Sequence, residues 1–382
     1  MERRSILLFG TTRYSKPLSL SDANKFKELS SIASVNLLNY GYSDASYSEC
    51  GVFIQNIKEP KILLFKYLKF YIFSIRKIKK LVKERGIEVI FAKDAFTGLP
   101  IVLSKKIYKE MRNIKLVVES HGDYREMVFK QRKYTLEKLY KTFVAKIGSF
   151  VVDNSDMIRG VSTESIEILT GEKNIKSTHF PAWVDNSIFY TNNKIQDTEK
   201  KDILYVGNII PRKGVLFLLE AFNIFASKNI DSSFILIGNA PNTEYKNKCK
   251  DYVKKNKLEE RVKFVGEISQ EDIAKIMNRS KVLVLASSFE GLPRVLIESG
   301  LCSLPSIGPN IDGVTVPFGK SGGTEIYELN NTSEFLKILT NLYSDKDYYS
   351  KLAKKALYLS NKLSGTETFG INWSKMIKEV LE

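Results

Sequence analysis

A chain of 382 residues is longer than one ordinary hydrophobic core organises, so length alone favours two domains and excludes a small peptide-like module. With 43% hydrophobic and 27% charged residues, the chain fills sizeable cores and is not disordered overall. Lys and Arg number 59 against 43 Asp and Glu, and the resulting +16 points to a polyanionic partner: nucleic acid, an anionic membrane face or a phosphorylated ligand.

Strands are predicted at the short apolar runs 6–9, 52–54, 89–91 and 116–118, separated by stretches of helical period such as 70–82. The rhythm resumes with runs at 203–206, 234–237, 262–265 and 282–285, with helical stretches at 216–226 and 273–277 between them. Alternating β and α elements predict parallel sheets with helices on both faces, and two such series predict two doubly wound domains. The polar, Asn-rich stretch 186–201 reads as a linker, which sets domains at 1–194 and 195–360. A helical segment at 361–382 follows, its residues 373–381 amphipathic. Ligands of open α/β sheets bind at the carboxyl ends of the strands, so two facing domains are expected to share an active-site cleft.

The three cysteines, Cys50, Cys249 and Cys302, are odd in number and far apart, which argues against a disulfide framework and for a reducing compartment. With His121 and His179 as the only histidines, a structural zinc or multi-histidine catalytic site has no ligand set. The first apolar run is too short for a secretory signal, and no run approaches the roughly 20 residues that cross a bilayer. A cytoplasmic location is therefore expected.

The richest segment is SSFEGLPRVLIESGLCSLP, residues 287–305. Glu290 follows a strand, Gly291 permits a close turn, and Pro293 suits the first turn of a helix that then carries Glu298. Amides of Gly291 and Leu292 at that helix start suit an anionic group. Eight helical residues span about 12 Å, so Glu290 and Glu298 are expected to hold two separated polyhydroxyl groups with a phosphate-sized gap between them. Alternatively, Glu290 merely complements the helix dipole and Glu298 is a solvated helix residue. After the strand 203–206, Asn208 leads to Arg212 and Lys213 in a strand-end loop, where they would neutralise a pyrophosphate or form a solvated basic turn.

From about residue 203 to 343 the chain resembles the retaining nucleotide-sugar glycosyltransferases of family 4, glycosyl transferases group 1, of GT-B fold. GNIIPRKGVLFLLEAF looks like that family's phosphate-binding loop and helix, ILIGNAP like its next strand with a glycine turn at Gly238, and 262–300 like its signature region with the E-x7-E pair Glu290 and Glu298. The resemblance implies a GT-B fold of two facing Rossmann-like domains, with a C-terminal helix crossing back to the first. It further implies Glu298 on the donor ribose, Glu290 on the donor sugar, and Lys213 with the Gly291 and Leu292 amides on the diphosphate. Neither metal nor other cofactor is expected. More weakly, Ser120-His121-Gly122-Asp123 is similar to the family's His-Gly, which would place the His121 imidazole by the donor sugar or acceptor, whereas His179 reads as structural. The chain departs from the pattern at Asn208, where the family carries Arg, at Ser303, where it carries Gly, at 311–315, which replaces a Gly-Gly-x-x-Glu stretch, and at 11–17, which replaces a first-domain Gly-Gly loop.

Asp345-Lys346-Asp347 matches a metal-binding D-x-D pattern, but helix-start aspartates explain it better. The stretch from Lys61 to Lys83 has no acidic residue; Lys66, Lys69, Arg76, Lys77, Lys79, Lys80 and Lys83 interleave with apolar residues as on a helix lying on anionic lipid, or on a domain helix with one solvated basic side. The expected activity is retaining, metal-independent transfer from a nucleotide diphosphate sugar to a glycan or lipid-linked acceptor in cell-surface polysaccharide or glycolipid biosynthesis, with peripheral contact at the inner membrane face. The rivals are a GT-B sugar-nucleotide epimerase or sugar-phosphate synthase, a basic nucleic-acid-binding protein, and an inactive GT-B partner subunit. No nucleic-acid motif supports the second of these, and nucleic acid is not an expected partner.

Overall fold

The computed structural model describes residues 3–59, 63–121, 137–171, 173–193, 195, 200–228, 231–319 and 322–382. The chain divides into two units, Met1–Trp183 with Thr366–Glu382, and Val184–Gly365.

The first unit runs β1 (Ser5–Arg13), α1 (Leu20–Ile32), β2 (Ser34–Gly41), β3 (Ala45–Glu49), β4 (Val52–Lys58), α2 (Leu63–Arg85), β5 (Val89–Ala92), α3 (Ala95–Ile107), β6 (Lys115–Ser120), α4 (Glu137–Asp153), β7 (Met157–Gly160), α5 (Thr163–Thr170) and β8 (Ser177–His179). Its sheet has the order β3-β4-β2-β1-β5-β6-β7-β8, parallel except for β3. The chain steps outward from β1 to one edge, then returns to β5 on the other side, so β1 and β5 flank a topological switch point. Successive side chains of a strand point to opposite faces. Accordingly Leu7, Ile90 and Leu116 enter one core with α2, α3 and α4, while Ile6, Val89 and Val117 enter another with α1 and the final helix. Both faces are covered, which is why these strands read as unbroken apolar runs.

The last helix (Thr366–Leu381) belongs to the first unit. Phe369, Trp373, Met376, Ile377 and Val380 form one buried stripe at helical spacing. Trp373 packs against Phe91 at 4.8 Å and Phe180 at 6.2 Å between ring centres. Trp373→Ala is expected to cost about 3–5 kcal/mol of first-unit stability, read from urea unfolding.

The second unit runs β9 (Asp202–Val206), α6 (Val215–Ala226), β10 (Phe234–Ile237), α7 (Thr243–Lys255), β11 (Val262–Gly266), α8 (Gln270–Arg279), β12 (Ser280–Val284), α9 (Arg294–Leu301), β13 (Ser306–Pro309), β14 (Thr324–Tyr327), α10 (Thr332–Ser344) and α11 (Lys346–Leu363). Its strand order, β11-β10-β9-β12-β13-β14, is the doubly wound Rossmann order, with the switch point between β9 and β12.

The division between the units falls earlier than the expected residue 195. The segment read as a polar linker starts as packed structure, because its Ile188 and Phe189, like Val184 just before it, are buried in the second unit's core. Asp185 accepts from the Ser187 amide at 3.0 Å and hydroxyl at 2.7 Å, and Asn192 donates its amide to Asn278 Oδ1 at 2.7 Å. Isolated apolar residues among asparagines give no periodic signal, which hid this packing. Residues 194 and 196–199 of the same stretch lie outside the described ones.

Candidate functional site

The loops after β9 and β12 flank the second unit's switch point, and they carry most of the residues singled out in the sequence. The first loop closes in a short helical turn, Pro211–Lys213, before α6. The second leaves β12 and reaches α9 at Arg294. The two are tied together: the Ser288 amide donates to Arg212 O at 2.9 Å, and the Arg212 guanidinium donates to Phe289 O. The Lys213 ammonium donates to Glu290 Oε1, and Arg212 lies 4.0 Å from Glu290 Oε2. The Glu290 side chain is only 11% exposed, so it sits between two cations with little water.

Glu290 precedes the helix. Pro293 is the N-cap residue and only Arg294 begins helical geometry, so eight helical residues do not separate Glu290 from Glu298. Missing its own N–H, Pro293 ends the loop without an unsatisfied donor. The Gly291 and Leu292 amides donate to no described residue, which leaves two donors open before a helix N-terminus.

Glu298 is buried, 9% exposed, so the solvated alternative for it is set aside. Its carboxylate accepts no hydrogen bond from a described residue. Burial raises its pKa, partly offset by the Arg294 charge. A raised carboxyl pKa means the folded state binds the proton more tightly, so its stability contribution is present in acid and is lost as pH rises through the folded pKa. Glu298→Gln is therefore expected to raise the melting temperature of the unliganded protein at neutral pH and to leave it unchanged in acid, as scanning calorimetry would show.

Asn208 is exposed, and its carbonyl accepts from the Tyr205 hydroxyl at 2.8 Å. Gly238 lies at the end of β10, where a Cβ would stand 2.1 Å from Gly207 O; it keeps the β9 loop close to the sheet. One residue of the site was missed in the sequence. A Cβ on Gly313 would meet Glu290 O at 2.0 Å and Gly291 O at 2.9 Å, so the segment 311–315 supports the Glu290 loop from below by backbone contact. Gly313→Ala is expected to displace that loop and lower activity at least tenfold with the fold retained, measured by steady-state rates beside circular dichroism. Ser303 takes a left-handed conformation, φ 50°, the geometry that favours the glycine it replaces; its hydroxyl lies 2.7 Å from that of Thr191.

In the first unit, His121 stands directly after β6, 32% exposed, with Nε2 3.2 Å from Glu119 Oε2. Arg159 of β7 lies 3.5 Å from Glu119 Oε1 and is 3% exposed. Burial tends to raise the Glu119 pKa, but the His121 hydrogen bond and the Arg159 charge outweigh it and bring it down to about 2. Gly122 and Asp123 lie outside the described residues. His179 ends the edge strand β8 and is exposed.

Asp345 accepts from the Tyr348 amide at 2.9 Å as N-cap of α11, the helix-start role expected of it. Of the basic stretch 61–83, residues 61–62 and the side chains of 63–72, Lys66 and Lys69 among them, lie outside the described residues. Lys77 pairs with Asp44 at 2.9 Å and Lys79 with Glu110 at 3.0 Å, so these two serve the first unit's own structure. Arg76, Lys80 and Lys83 are exposed. No helix of the described residues is long and apolar enough to cross a membrane.

Two Rossmann-like parallel-sheet units, the second presenting paired acidic and basic strand-end loops, define the GT-B glycosyltransferase fold. Residues 189–358, most of the second unit, match the model of glycosyl transferases group 1. An uncharacterized glycosyltransferase of Haemophilus influenzae is 26% identical over 326 residues, covering 85% of this chain and 84% of that protein. The UDP-Gal:alpha-D-GlcNAc-diphosphoundecaprenol alpha-1,3-galactosyltransferase of Escherichia coli is 23% identical, covering 72% of this chain and 70% of that protein. Among solved structures, sucrose-phosphate synthase from Thermosynechococcus elongatus superposes with a TM-score of 0.80 at 15% identity, covering 99% of each chain. Anabaena HepE, solved with UDP and glucose, gives 0.75 at 14% identity, covering 98% of this chain and 99% of that one.

Proposed function

We propose that the protein transfers a sugar from a nucleotide diphosphate sugar to a glycan or lipid-linked acceptor, with retention of anomeric configuration. The observation that carries this reading is the Lys213–Glu290 pair, two open amides and the buried Glu298, to whose carboxylate no described residue donates a hydrogen bond, all after strands that flank one switch point. Glu298 would receive the ribose hydroxyls and Glu290 those of the donor sugar. Arg212 would hold the two loops in register while Lys213 and the Gly291 and Leu292 amides take the leaving diphosphate. Gly238 and Asn208 would shape the wall beside the phosphates, and His121 would contact the reacting sugars.

In a front-face displacement the departing phosphate oxygen takes the acceptor proton as the glycosidic bond forms on the same face. The protein then mainly positions the reactants and stabilises the leaving charge. Because fixed cations and amides carry that charge, transfer is expected to survive EDTA at full rate; loss of activity on chelation would mean that a metal ion carries it.

The galactosyltransferase relative acts on a diphosphoundecaprenol-linked sugar, which supports a lipid-linked acceptor at the inner membrane face, in polysaccharide or glycolipid assembly. The exposed Arg76, Lys80 and Lys83 would meet anionic lipid there. A small acidic acceptor is the second reading, favoured by the 20% identity, over 80% of this chain, to the N-acetyl-alpha-D-glucosaminyl L-malate synthase of Bacillus anthracis. Radiolabelled donor incubated with polyprenyl-diphosphate sugars, oligosaccharides and small hydroxy or phosphorylated acids separates the readings. A labelled lipid product supports the first, a labelled small acid the second, and donor converted to its epimer without any acceptor overturns both.

A further inference from the structure

We infer that Glu119 is a positioning residue that fixes which imidazole nitrogen of His121 faces the reacting sugars, an inference that rests on the transferase reading. Glu119 and His121 are two residues apart at the end of β6, so both side chains lie on one face of the sheet. Glu119 is paired in register with Arg159 on β7. The Arg159 guanidinium is buried and anchored by hydrogen bonds to Phe180 O at 2.8 Å and Pro181 O at 3.1 Å, with the Phe180 ring 4.3 Å beneath it. A fixed, buried cation therefore stands at 3.5 Å from one carboxylate oxygen, and the imidazole Nε2 at 3.2 Å from the other.

A carboxylate beside a guanidinium is ionised and only accepts hydrogen bonds, so Nε2 carries the proton in the neutral and the cationic imidazole alike. Among the described residues none engages Nδ1, which is then the nitrogen left to the substrate. It accepts from a sugar hydroxyl when the ring is neutral and donates to a sugar oxygen when the ring is charged. The chain of contacts Arg159, Glu119, His121 thus transmits an orientation set in the first unit's core to a partly exposed ring.

With only two histidines in the chain, selective 15N labelling gives two imidazole spin systems, and His179→Gln assigns them. In mildly alkaline buffer the His121 ring of the wild-type protein is expected to show a protonated Nε2 and an unprotonated Nδ1. A protonated Nδ1, or the averaged pattern of a free imidazole, would overturn the inference without any variant being made. Glu119→Gln is expected to bring the averaged pattern and to lower kcat about tenfold or more at an unchanged donor KM, and Glu119→Asp to restore part of the rate. Should Glu119→Gln fail to fold, Glu119→Gln with Arg159→Gln removes both charges and is expected to give the same two readouts. Full kcat in a folded Glu119→Gln chain would refute the positioning role. A wild-type protein that holds the Nε2–H form yet binds no nucleotide sugar would leave the tautomer standing and sink the transferase reading instead.

Discussion

Replacing Lys213 by methionine is expected to lower the rate of sugar transfer about 100- to 1,000-fold while moving the donor KM far less. The ammonium is 19% exposed and lies on the Glu290 carboxylate at the mouth of the β9 and β12 loops. Charge that develops there on a leaving diphosphate is poorly compensated by water, so removing the fixed cation raises the transition state more than the bound donor. Methionine keeps the unbranched apolar stem and lacks only the terminal ammonium, and Arg212 at 4.0 Å still faces Glu290, which favours retention of the loop geometry. Lys213→Arg keeps the charge but not the compact ammonium and is expected to fall between the two. Single-turnover kinetics check both; wild-type rates in Lys213→Met would remove the leaving-group role from this residue.

A stability effect as large as that of Trp373→Ala is expected from Glu119 in the first unit. Glu119→Gln leaves the Arg159 guanidinium buried without its countercharge, a change that costs about 3–5 kcal/mol. The wild-type Glu119 carboxylate, held by the His121 hydrogen bond and the Arg159 charge, carries a distinct pH signature. A carboxyl lowered from 4.5 to about 2 contributes stability that is fully present above the unfolded value and is lost as pH falls through the folded one. That displacement corresponds to about 3 kcal/mol. The gap between wild type and Glu119→Gln is thus expected to be widest near neutrality and to shrink steadily between about pH 5 and pH 2. Both tryptophans of the chain, Trp183 and Trp373, lie in the first unit's core, so their fluorescence during urea unfolding reports this unit alone. A gap that does not change with pH would mean that the pair is not ionised as described.

Much of the architecture was legible because parallel strands covered on both faces are short apolar runs, as at β5, β9, β10 and β12. Strand β2 escaped because Asn36 and Asn39 interrupt its run. Both are buried polar residues whose side-chain amides donate inside the sheet, Asn36 to Ile6 O at 3.2 Å and Asn39 to Asn56 Oδ1 at 3.0 Å. Strand β13, SIGP, is half Gly and Pro and so does not signal itself as an apolar run. In the candidate site, Glu290, Lys213 and Glu298 stood out through their loops and spacing, whereas Gly313 acts by backbone approach, which leaves no local pattern. Glu119 was within reach, being two residues from His121 on a strand. Arg159 was not, since only the pairing of β6 with β7 brings it alongside.

The central claim, that the strand-end loops of the second unit hold a nucleoside-diphosphate sugar, is tested most directly by calorimetric titration of UDP-, GDP- and ADP-sugars into the full chain in the presence of EDTA. One nucleotide class is expected to bind once per chain, and Glu298→Gln, by removing a charged acceptor from the ribose hydroxyls, to weaken it at least about tenfold. No binding by any of the three, or binding undiminished in Glu298→Gln, would contradict it.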